Sequence, residues 1–133
     1  AVLPAGAKFQ LVETTIYGVV TAAGDVLPAD HEVKGGPSVF FDAVAIVPSI
    51  EGGAKLALQS EAVNFLRDAY GHLKVIGYLP NAAPMFVKGG LSDANPDNDP
   101  GLVSLATHSI DAFITQAAAG RIWAREPMVR FVP

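Results

Sequence analysis

The residues of this chain that could do chemistry are few, and they do not sit where a reactive centre would need them. The strand-like run Lys74-Val75-Ile76-Gly77-Tyr78 ends in Leu79-Pro80-Asn81-Ala82-Ala83-Pro84. An open α/β sheet carries its reactive groups at the carboxyl ends of its strands, and this turn offers no Cys, Ser, His or acid. The other such end reads Pro48-Ser49-Ile50-Glu51-Gly52-Gly53. Ser49 beside Glu51 is an acid–nucleophile pair with no His near it in sequence, so it reads as turn chemistry. His31, His72 and His108 fall in separate segments without ligand spacing and read as packed or surface histidines. Asp93, Asn95, Asp97 and Asp99 alternate as calcium-loop ligands do. Pro96 breaks that pattern, Asn98 replaces the required Gly, and Ser104 stands where a bidentate Glu belongs, so the stretch reads as a solvated acidic loop. Gly52-Gly53 and Gly89-Gly90 lack the motifs that cradle phosphate, which argues against flavin or nucleotide binding. Catalytic, cofactor-binding and metal residues are therefore assigned to none. Arg121, Trp123 and Arg125 differ, because aromatics flanked by Arg are enriched at interface centres. The competing reading of Trp123 is an indole folded back onto the core.

The elements that would position these groups alternate between strand and helix patterns. Lys8 to Glu13 reads as a first strand, Ile16 to Thr21 as its continuation or a short second one, and Ala22-Ala23-Gly24-Asp25 as a turn. Leu27 to Pro37, with two Pro and two Gly, reads as loop or short excursions. Val39 to Val47 is nearly all apolar and reads as a strand buried on both faces. Ser60 looks like the N-cap of a helix reaching about Tyr70, with Ala62, Phe65, Leu66 and Ala69 on one face and Gly71 as its stop. Val75 to Tyr78 is the next strand. A short helix follows over Ala82 to Val87, ended by Gly89-Gly90, and Leu102 to Leu105 reads as a last short strand. Ile110, Phe113, Ile114 and Ala117 form the stripe of a final helix, with Gly120 just past its end. This strand–helix–strand order predicts α/β with a mainly parallel sheet in three layers.

Composition narrows the function further. The 133 residues fit one domain, 1–133, and half are hydrophobic, enough for a real core. The net charge of −4 argues against a nucleic-acid partner. No run approaches the ~18 apolar residues that span a bilayer. The absence of Cys removes disulfides and thiolate catalysis but leaves the compartment unknown, secreted and cytoplasmic both being open. The chain begins at Ala1 without a signal-like segment and reads as a processed or excised piece.

Several stretches carry a family resemblance. Gly18-Val19-Val20-Thr21, Leu27-Pro28-Ala29-Asp30-His31 and Phe41-Asp42-Ala43-Val44-Ala45-Ile46-Val47-Pro48 resemble the C-terminal domain of large-subunit catalases. So do Phe65 to Gly77 and Arg121-Ile122-Trp123-Ala124-Arg125-Glu126-Pro127, and the likeness runs from about Leu11 to Pro127. That domain belongs to the class I glutamine amidotransferase-like group, alongside PfpI-type hydrolases and chaperones, and implies a flavodoxin-like sandwich. PfpI-type enzymes hold a Cys on a strand-to-helix elbow with a His beside it and an acid from the first strand–helix unit. This chain has Leu79-Pro80-Asn81 at the elbow, and the likeness leaves its first unit missing. The resemblance thus implies a non-catalytic accessory domain with no cofactor of its own, haem belonging to the rest of a peroxide-dismutating parent. It also implies as partners the remainder of the catalase subunit and tetramer and unfolding client proteins, with self-association open. A stand-alone PfpI-like hydrolase or amidase and a small-ligand or flavin-binding module are the alternatives. With the first unit missing, Val39 to Val47 is expected to lack a partner on one side, filled by an upstream segment or by strand exchange between copies.

Overall fold

The structure, a computed structural model, describes residues 10–13, 19–20, 24–32, 38, 41–92, 94, 99–106 and 110–129. The chain falls into two compact units, Ala1–Pro37 and Ser38–Pro133. In the first unit β1 (Val12–Glu13) runs parallel to β4 (His31–Glu32), with Val12 opposite His31. There β2 (Val19–Val20) and β3 (Val26–Leu27) form an antiparallel pair. The turn expected between them is present, and Gly24 supplies its positive φ of 88°, a conformation open to a residue without Cβ. Lys8, Phe9 and Ile16 lie outside the described residues.

The second unit is built on a parallel sheet in the order β5 (Ala43–Ile46), β6 (Val75–Tyr78), β7 (Leu102–Ser104). Parallel neighbours need crossovers. The first holds α1 (Ile50–Leu56) and α2 (Ser60–Gly71), and the second holds α3 (Ala83–Lys88). After β7 come α4 (Ile110–Ala118), a 3₁₀ turn Trp123–Arg125 and α5 (Glu126–Val129). Side chains alternate across a strand, so β6 faces two layers. Val75 packs with Val103, Phe113 and Ile122 on the α4 side, while the Tyr78 ring meets Phe86 of α3 at 5.3 Å on the other. Helices thus cover both faces of the central strand, and Val75 and Ile76 are fully buried. The unit has the flavodoxin-like three-layer α/β arrangement expected from the sequence.

Four expectations are corrected. The strand begins only at Ala43, since Phe41 and Asp42 form a bend, and Val39 and Phe40 lie outside the described residues. It is not buried on both faces: Val44 and Ile46 are buried whereas Ala45 and Val47 are exposed. Ser60 is not the N-cap of α2. Gln59 holds that position without a side-chain cap, and the Ser60 hydroxyl is 3.4 Å from Glu61 Oε2. Nor does Gly71 stop the helix, which includes it. The reversal falls on Leu73 at φ 64°, where the Lys74 N–H returns to the Ala69 carbonyl (2.9 Å) and the Leu73 N–H to that of Tyr70 (3.1 Å). That left-handed turn costs a non-glycine residue about 1–2 kcal/mol, offset by burial of the Leu73 side chain. At the end of α3 the expected glycines do perform this turn, through Gly90 at φ 72°. Among the described residues β5 pairs with β6 alone.

Candidate functional site

At the carboxyl ends of β5 and β6 the groups that might react are engaged in building the turns. The Leu79 N–H extends the ladder to the Ile46 carbonyl at 3.0 Å. Ser49 is the N-cap of α1, its Oγ accepting the Gly52 N–H at 2.9 Å, which is the turn chemistry expected of it. Pro80–Ala82 forms a 3₁₀ turn, and the Asn81 amide donates to the Pro48 carbonyl at 3.1 Å. Gly53 lies inside α1 with its Cα against the Asn81 carbonyl oxygen, so closely that a Cβ could not fit. Gly53 is therefore a packing contact between two strand ends.

Among the described residues a buried polar cluster lies at the opposite, amino end of the sheet. Arg125 is buried, its side chain fully so, and grips Asp99 with two bonds: Nε to Oδ2 at 2.6 Å and Nη2 to Oδ1 at 3.1 Å. Its Nη1 donates to the carbonyls of Tyr70 (3.2 Å) and Lys74 (2.8 Å), and the guanidinium lies 4.5 Å from the Tyr70 ring centroid. Asp99 Oδ1 also accepts the Gly101 N–H at 2.9 Å. A fork of fixed donors suits a carboxylate and two carbonyls at once. The cluster joins the end of α2, the entry to β6, the entry to β7 and the segment after α4. Burial, with the Asp99 carboxylate adding to it, raises the Tyr70 phenol above its ordinary value of 10.0, and the Arg125 cation opposes the shift. Gly101 admits the cluster, since a Cβ there would meet Ile122 and would come within 2.6 Å of Arg125 Nη2.

These positions revise the sequence reading. Asp99 does not belong to a solvated surface loop, and Arg125 faces inward. Arg121 and Trp123 face outward on either side of buried Ile122, and Trp123 is 68% exposed. The indole does not fold back onto the core. His31 lies 2.7 Å from Gln10 Oε1 through Nε2, and His72 Nδ1–H donates to the Asp68 carbonyl at 2.7 Å. Asp93, Asn95, Asp97 and His108 lie outside the described residues, among which no three ligating side chains gather. No helix among the described residues is long and apolar enough to cross a membrane. The Asp99–Arg125 pair was invisible in the sequence, its members being 26 positions apart with no pattern between them.

No family model matches the chain. It is 34% identical over 124 residues to Catalase C of Rhizobium meliloti, a match covering 93% of this chain. Catalase-B of Dictyostelium discoideum and Catalase HPII of Pseudomonas putida are each 28% identical across 96% of it. The chain spans only 17–18% of the length of these relatives. Matched along nearly all of its own length to a small part of theirs, the chain is a homologue of the C-terminal domain of large-subunit catalases.

Proposed function

We propose that this chain is a non-catalytic accessory domain of a large-subunit catalase, one that supports the stability of the assembled enzyme and binds unfolding proteins in a chaperone-like way. The parent chemistry, dismutation of hydrogen peroxide, would belong to the rest of the subunit. The observation that carries this reading is the match of 93% of the chain to 17% of Catalase C. Two structural features support it. The strand ends at Ser49 and Asn81 are tied into caps and turns. Large apolar side chains stand in solvent, Ile50 at 78% and Leu58 at 79% exposure, with Val47 and Val87 also exposed, and such groups are what an unfolding client would contact. Light scattering from a heated client tests the reading. The chain is expected to suppress aggregation without ATP, beyond what an equal mass of albumin achieves. Equal protection by albumin removes the chaperone-like part. A peptidase, esterase and glyoxalase panel tests the rest, since turnover abolished by Ser49→Ala would make the chain a hydrolase.

A further inference from the structure

We infer that Trp123, with Arg121 beside it, is the anchor by which this domain docks on the remainder of a large-subunit catalase. The inference rests on the accessory-domain reading. Trp123 is the chain's sole tryptophan, yet it is 68% exposed. Its mount is rigid. The Ile122 N–H donates to the Leu73 carbonyl at 2.8 Å with its side chain buried, and Arg125 is held by Asp99. An aromatic whose backbone is already fixed loses little freedom on binding, and Trp and Arg are the residue types that dominate interface energetics. The relatives matched are more than five times the length of the aligned segment, so in them this segment is tied to a much larger body that must receive it. The receiving surface is expected to be an apolar pocket for the indole with a carboxylate at its rim for Arg121.

The probe is Catalase C of Rhizobium meliloti lacking the segment that this chain matches. The full chain is labelled with 5-fluorotryptophan, which gives a single fluorine resonance from Trp123. Up to millimolar chain, the effective concentration that a short tether provides, the resonance is expected to shift and broaden as the truncated catalase is added. Unlabelled Trp123→Ala is expected to compete at least about tenfold less well than unlabelled wild type, while its melting temperature stays unchanged. Arg121→Glu is expected to weaken competition too, more so at low salt. Competition by Trp123→Ala equal to wild type overturns the anchor and leaves the accessory reading standing. No response of the wild-type resonance to a truncated catalase that still turns over peroxide overturns the docking itself. A shift that depends on the chain's own concentration, without catalase, makes a second copy the occupant and also overturns the proposal.

Discussion

Arg125 makes its bonds to one carboxylate and two main-chain carbonyls with none of its guanidinium in water. Removing it leaves the Asp99 carboxylate without its cation and the two carbonyls without their side-chain donor. Breaking a buried pair by deleting one member costs about 3–5 kcal/mol, more than the pair itself contributes. Arg125→Ala is therefore expected to lose that much stability in urea unfolding, and Asp99→Ala a comparable amount. The double variant should lose clearly less than the sum, because the two share one interaction. Tyr70 gives a pH signature. Its phenol keeps its proton more firmly when folded than when unfolded, so its contribution is fully present below about pH 10 and is lost as pH rises through the folded value. Melting temperature is expected to fall from about pH 10 upward, and less steeply in Tyr70→Phe. None of this could be read beforehand. Residue types near Trp123 suggested an interface, and two of the three candidates are exposed. What turns the third inward is a carboxylate far away in sequence, and local pattern does not record distant partners.

At the scale of elements the sequence was more legible, because turns and apolar spacing are local. The strand Val75–Tyr78, the glycine end of α3 and helix α4 are present, α4 with Phe113 buried and Ile114 half-buried but Ile110 exposed. The misreadings share a cause. Ser60 and Gly71 are the residue types that favour caps, but α2 starts from an uncapped Gln59 and ends at the reversal on buried Leu73. Burial of β5 depends on what covers it, which apolar composition does not specify. Close packing between elements makes two glycines indispensable for reasons no turn signal reveals. A Cβ at Gly77 would approach Phe113 Cδ1 to 2.8 Å, and one at Gly53 would strike the Asn81 backbone. Gly77→Ala is expected to cost about 1–3 kcal/mol by overpacking, part of it recoverable by Phe113→Leu. Gly53→Ala meets an atom that cannot rotate away, so it is expected to cost more than Gly77→Ala. Thermal unfolding of the two variants side by side checks that order.

Across the whole molecule, the second unit buries its core around one central strand and closes at its amino end through Arg125. That closure has a consequence for synthesis. A nascent chain leaves the ribosome from its first residue onward, so β5, β6, β7 and the Asp99 segment emerge before Arg125 does. Until then the Asp99 carboxylate has no cation, and the Tyr70 and Lys74 carbonyls lack the donor that later serves them. The sheet can pair while its lock is still being translated, which leaves a late intermediate exposed to proteases and to aggregation. A message with a stop codon after Gly120 would encode β5, β6 and β7 with Asp99 but not Arg125. Its product is expected to accumulate far less than the full chain in pulse-chase labelling, despite carrying those three strands.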